Sequence, residues 1–250
     1  MPDFTLTQWT LAVIAAFCAG VSKAGLAGVG LLGVTFMAAA VPGRGSSGIV
    51  LPLLIFADLL AASTFRQHVQ WSQIRRLAWP VCFGIFAGWG LLMIIPDRWF
   101  RPVIGGMVLG MLVLQVVRQR FPGFDAALPH SKLFAWFSGL LTGTATMVAN
   151  AAGPIASTYL IILSLPKQQF VSTMAWLFLF VNIFKVPFSV HLGLINVGSL
   201  TLNLCLVPAV IAGLSAGKWL LERVPQRVFQ TIVLSLATIS AVWLLASGMW

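Results

Sequence analysis

The chain has 250 residues, of which 59% are hydrophobic and only 8% charged, with a net charge of +10 and a mean hydropathy of +0.98. A water-soluble domain draws about a quarter of its residues from Asp, Glu, Lys and Arg, so water is excluded as the solvent for most of this chain. The basic residues stand in short clusters between apolar runs, not along one face, which argues against nucleic acid and for the positive-inside bias of a membrane protein, with anionic lipid contact as a by-product.

Against the roughly 20 apolar residues that a bilayer span requires, hydropathy predicts ten helical segments. They run approximately over 6–22, 26–41, 46–64, 76–95, 101–118, 132–148, 153–165, 169–187, 198–221 and 227–247. The first lacks a basic flank, carries Asp3 instead and runs on into apolar sequence, so it is expected to belong to the mature protein rather than to a signal peptide. The segments after Gly25 and Gly153 are short for a full crossing, which makes the stretches near 20–41 and 139–165 candidates for half-helices or re-entrant hairpins. The stretch from Arg118 to Lys132 carries Pro, Gly and both charge signs and reads as a linker.

An all-α, polytopic membrane protein of one transmembrane domain, 1–250, is therefore expected. Its two repeats would cover about 6–118 and 132–247, joined by a linker at about 119–131. Pro96-Asp-Arg-Trp-Phe-Arg-Pro-Val-Ile matches Pro225-Gln-Arg-Val-Phe-Gln-Thr-Ile-Val, and Gly88 and Gly217 precede them by the same interval. Phe65-x-x-His68 recurs as Phe188-x-x-His191, and Phe17-x-x-Gly20 can be laid beside Phe137-Ser-Gly139, less closely. Five segments per repeat, an odd number, would invert the second relative to the first, a recurrent arrangement of secondary transporters. Placing the loop Phe65 to Arg76 in the cytoplasm puts Lys23, Arg66, Arg75, Arg76, Arg118, Arg120, Lys132, Lys167, Arg223 and Arg227 on that side, against Arg44, Arg98 and Arg101 outside. Both termini then face the periplasm.

Two glycine-rich runs are candidate substrate sites. Around Gly20-Val-Ser22-Lys23-Ala-Gly25-Leu-Ala-Gly28, glycine frees the backbone to break helical form, and a helix restarting near Gly25 would aim N–H groups and a positive dipole end at an anion. Ser22 would add a hydroxyl and Lys23 a charge. The competing reading is close helix packing through glycine, with Lys23 snorkelling to the interface. The second run, Gly143-Thr144-Ala-Thr146-Met-Val-Ala-Asn150-Ala-Ala-Gly153-Pro154, offers Thr144, Thr146 and Asn150 as donors to a sulfonate or carboxylate oxygen. Its Pro154 suits a first helical turn.

Asp58 and Lys185 are the charges set deepest in predicted spans, where an ionisable group is costly and by default functional. The Phe-x-x-His register sets Asp58 opposite Val181, beside Asn182, and Lys185 opposite Ala62, so Asp58 and Lys185 are expected to pair across the repeat interface. Asp58, Arg66 and His68 are candidates for coupling or gating. The three cysteines are isolated in apolar runs, and no metal pair, nucleophile elbow, Walker loop or carboxylate pair is present. No enzyme activity, metal or cofactor is expected.

VSKAGLAGVG, LPLLIFADLLAASTFRQHVQW, TATMVANAAGPIASTYLIILSLPKQQF and FVNIFKVPFSVHLGLIN together resemble the bacterial TauE/SafE family of sulfite and organosulfonate exporters, over nearly the whole chain. The resemblance implies a transporter in the bacterial inner membrane that moves a small sulfur-containing anion, usually outward. Its motif residues fall here on Ser22, Lys23, Gly25, Asp58, Arg66, His68, Asn150, Gly153, Pro154, Asn182 and Lys185. The function expected is alternating-access transport of sulfite or a small organosulfonate held between opposed helix starts. A passive anion channel or uniporter, for carboxylates or other sulfur oxyanions, and a membrane-embedded enzyme or assembly factor are the alternatives. Expected partners are the anion and lipid, with no nucleic acid and with room for a homo-oligomer.

Overall fold

A computed structural model describes residues 4–41, 45–94, 131–195 and 197–225, with 110, 113 and scattered positions from 227 to 242. Most of the predicted segment 101–118, most of the linker, Pro96, most of the last segment, and Arg44, Arg98, Arg101, Arg118 and Arg120 lie outside the described residues. Those described form helices α1 (Leu6–Lys23), α2 (Ala27–Ala40), α3 (Gly45–Thr64), α4 (Trp71–Ile94), α5 (Lys132–Ala149), α6 (Gly153–Ile162), α7 (Lys167–His191) and α8 (Val197–Arg223), with no strand among them.

Local chemistry explains several boundaries. Thr5 and Gln8 form a reciprocal capping box at the start of α1, and the Ser131 side chain accepts from the Phe134 N–H at the start of α5. Lys167 closes the far end of α8 by donating to the carbonyls of Leu221 at 2.7 Å and Val224 at 2.8 Å, where a cation also meets the negative end of the helix dipole. Helix α4 begins at Trp71, about one turn earlier than hydropathy predicts, because Ser72, Gln73, Arg75 and Arg76 dilute the apolar signal of Trp71 and the buried Ile74.

Among the described residues, four spans are long and apolar enough to cross a bilayer: Leu6–Lys23, Trp71–Ile94, Lys167–His191 and Leu200–Arg223. The distribution of side chains is that of a protein dissolved in lipid. Trp79, Phe83, Leu204 and Ile211 point outward, while Asp58, Thr142, Thr158, Thr173, Asn182 and Lys185 are buried. Helices α2 and α6, of 14 and 10 residues, reach only about 21 and 15 Å at the α-helical rise, short of a hydrocarbon core about 30 Å thick. This is an all-α membrane protein.

Two close helix crossings hold the bundle together, α4 against α5 and α1 against α8. Both are glycine-on-glycine contacts. A Cβ on Gly143 would stand 2.1 Å from the Val81 carbonyl oxygen, and one on Gly84 2.2 Å from that of Leu140. In the other crossing, a Cβ on Gly20 would stand 2.2 Å from the Val210 oxygen, and one on Gly213 2.1 Å from that of Phe17. Gly88 lies on Thr144 and Met147 as Gly217 lies on Val21 and Ala24.

The two crossings correspond residue for residue, and each joins one helix from either half of the chain. They correct the sequence alignment at one point: Gly20 corresponds to Gly143 and Phe17 to Leu140, so matching Phe17 with Phe137 is out of register. Those phenylalanines are 39% and 53% exposed and face outward, where many apolar residues serve equally. The glycine is demanded by backbone contact, and it carries the register.

Such contacts tolerate no side chain. Gly84→Ala is expected to destabilise the protein by about 1–3 kcal/mol through forced separation of α4 and α5. Gly90→Ala, where nothing lies within 4 Å of the new methyl, is expected to be neutral or slightly stabilising. Thermal unfolding of the two variants in detergent checks the difference.

Candidate functional site

Two helix breaks meet at the centre of the bundle. Helix α1 ends at Lys23, and Gly25 follows at a φ of 100°; a side chain there would be strained and would also strike Val171 and Phe229, at 2.7 and 3.0 Å from its Cβ. Helix α5 ends at Asn150, which adopts the left-handed conformation at φ 52° and donates its N–H to the last carbonyls of that helix. Asn tolerates this region better than most residues. After Ala151 and Ala152 the chain starts α6 at Gly153, with Pro154 in the first turn and no side chain capping the free N–H groups.

The charged groups sort into two sets. Lys23 Nζ lies 2.8 Å from Asp58 Oδ1 and 4.8 Å from the centre of the Phe178 ring. Asn182 Nδ2 donates to Asp58 Oδ2 at 2.6 Å, and the carboxylate is fully buried. Separately, Lys185 Nζ donates to the Thr146 carbonyl at 2.8 Å, to Thr146 Oγ1 at 3.3 Å and to Asn150 Oδ1.

This arrangement overturns the expected pairing of Asp58 with Lys185. Register set the two at similar depth, but α1 brings Lys23 to Asp58, while Lys185 projects toward the broken end of α5. Lys23, counted as a cytoplasmic loop charge, is 9% exposed and neither snorkels nor reaches a loop.

A cavity of about 40 Å³ lies between the two breaks, walled by Ser22, Lys23, Gly30, Val34, Leu54, Thr146, Asn150, Gly153, Pro154, Met174, Ala175, Phe178 and Asn182. One water needs about 10–15 Å³ on this measure, so the space suits a ligand of a few non-hydrogen atoms. Six of the expected substrate residues line it: Ser22, Lys23, Thr146, Asn150, Gly153 and Asn182. Lys185 sits behind the wall, holding Thr146 and Asn150, and Asp58 behind Lys23 and Asn182.

Five further expected residues do not line it. Thr144 donates to the carbonyls of Gly84 at 3.1 Å and Leu140 at 2.9 Å; its hydroxyl fastens α5 to α4 because the glycine crossing brings the Gly84 carbonyl within reach. Gly25 forms the turn, and Gly28 is buried off the cavity, which meets α2 a residue pair further on at Gly30. Arg66 and His68 are exposed in the α3–α4 loop. That loop is strapped to α7, with the Ser172 hydroxyl donating to the Gln67 carbonyl at 2.8 Å and the Gln70 N–H donating to Thr173 Oγ1 at 3.0 Å.

Ser22 lines the cavity while donating to the Ala19 carbonyl at 2.7 Å. The apolar wall was not foreseen from sequence. Its signal was the helical spacing of Met174, Phe178, Asn182 and Lys185, which lays one stripe along α7.

A buried ammonium and an ion pair around a small cavity, inside an all-α bundle with a lipid-facing exterior, are the features of a membrane protein that handles a small charged solute. Residues 12–244 match the family model described as sulfite exporter TauE/SafE, and the chain belongs to that family. Membership makes it a membrane transporter of sulfite or related anions, in a family of transporters and not of enzymes. No curated protein and no solved structure matches the chain.

Breaking one side of the buried pair leaves the other charge uncompensated. Asp58→Ala is expected to cost about 3–5 kcal/mol, and Lys23→Met combined with Asp58→Ala is expected to recover most of it. A double-mutant cycle of thermal unfolding measures both.

Proposed function

We propose that this chain is a secondary transporter that carries sulfite or a small organosulfonate outward across the bacterial inner membrane by alternating access. The observation that carries this reading is Lys185. It is 2% exposed, and its partners are neutral oxygens. Among the described residues the carboxylates are Asp58, which is engaged by Lys23, and Glu222, which is exposed and stands 4.0 Å from Lys218. A buried cation without a counter-charge is expensive, and an anion in the adjoining cavity supplies that charge.

The start of α6 favours the same ligand, because its uncapped N–H groups and positive dipole end lie at Gly153 on the wall. Sulfite has four non-hydrogen atoms, a fair match to the cavity. The sulfonate head of a larger substrate would occupy the same space. Ser22 would release Ala19 to donate to the anion, and Lys23 would remain within reach on the opposite wall. In this reading the anion is held by the start of α6 and by the side chains at the end of α1, not by two opposed helix starts.

The corresponding crossings of α1 with α8 and α4 with α5 support an internal repeat whose second half is inverted, with the cavity between the halves; the bias of loop charges supports periplasmic termini. One half rocking against the other would open the cavity to each side in turn.

The test is flux in proteoliposomes. Lys185→Met, which keeps the side-chain volume and removes the charge, is expected to lower sulfite flux at least about tenfold, the effect of losing roughly 1.4 kcal/mol of anion stabilisation. Unaltered flux in folded, reconstituted Lys185→Met protein would remove this site from the transport path.

A further inference from the structure

The charges around the cavity permit a statement about substrate valence, which rests on the anion-site reading above. Among the described residues, three ionisable side chains gather there, Lys23, Lys185 and Asp58. The three oxygens around Lys185 Nζ accommodate the three N–H donors of an ammonium. Lys23 and Asp58, in contact at 2.8 Å, cancel. With Lys185 protonated, the site holds one net positive charge on side chains that are buried or nearly so.

A monoanion brings this cluster to neutrality. A dianion would leave one negative charge uncompensated at low dielectric, after giving up a far stronger hydration shell, and both terms oppose it. We infer that the site selects singly charged anions and that Asp58 sets this preference by cancelling Lys23. Asp58 reaches the cavity only through Lys23 and Asn182, so it acts on selectivity through these neighbours and touches no ligand. It is a positioning and charge-setting residue.

Sulfate and methanesulfonate make the required comparison, because each has five non-hydrogen atoms in a tetrahedral arrangement while their charges differ by one. Titration calorimetry on the full chain in detergent, at fixed ionic strength, gives the ratio of their affinities. The unaltered protein is expected to bind methanesulfonate at least about tenfold more tightly than sulfate. Asp58→Asn, which raises the site charge to two, is expected to shift that ratio toward sulfate by about tenfold or more. Lys23→Gln combined with Asp58→Asn returns the charge to one and is expected to restore the monoanion preference. This double variant also carries the test if Asp58→Asn alone does not fold, since it leaves no buried Lys23 charge unpaired.

Equal or tighter binding of sulfate by the unaltered protein overturns the inference. So does a ratio that Asp58→Asn leaves in place, or a double variant that prefers sulfate. Failure of both anions to bind the unaltered protein would instead sink the anion site itself.

Discussion

A buried lysine that pairs directly with no carboxylate among the described residues is the constraint around which this bundle is organised. Lys185 is held at the centre by one backbone oxygen and two side-chain oxygens from the end of α5. The Thr146 carbonyl also accepts the Asn150 N–H at 3.0 Å, so it serves the helix end and the ammonium together. The left-handed turn at Asn150 ends the helix, presents its amide oxygen to Lys185 and lets α6 begin with free N–H groups beside the same space. Capping, helix termination and charge stabilisation thus meet in a few residues, and what they leave unsatisfied is a single negative charge.

The second ionic element has the opposite character. Lys23 and Asp58 satisfy each other, and Asn182 fixes the remaining carboxylate oxygen. A buried pair of this kind is weak evidence for stability, because desolvation consumes much of the Coulombic gain. Its contribution is better understood as position. It ties the end of α1 to α3 and, through Asn182, to α7, so that one wall of the cavity is built from three helices that would otherwise meet only through apolar contacts.

Around this centre, glycine sets the distances. Apolar side chains gain little from leaving lipid for a protein interior, so membrane helices associate through close backbone approach and interhelical polar contacts. The crossings of α1 with α8 and α4 with α5 follow that rule twice with corresponding residues, and Thr144 adds a hydroxyl bond across one of them. Two closely packed helix pairs flank a polar centre, with a strapped loop between α3 and α4. Such a construction concentrates stiffness in the pairs and leaves motion to the contacts between them.

Much of this was legible in the chain before any coordinates. Solvent and secondary structure followed from composition and run length, because few charges and long apolar runs have one physical solution in a bilayer. The polar and glycine residues of the breaks, and the ionisable groups in apolar runs, stood out because lipid makes each of them costly. What the tertiary structure alone decided was which group meets which: Lys23, not Lys185, on Asp58; Thr144 on a neighbouring carbonyl, away from the cavity; Gly20 opposite the place of Gly143, not Gly139. Depth along a helix can be read from sequence by counting residues. Rotation about the axis and the choice among neighbouring helices depend on backbone contacts between segments far apart in the chain, and those contacts assign each costly group its partner.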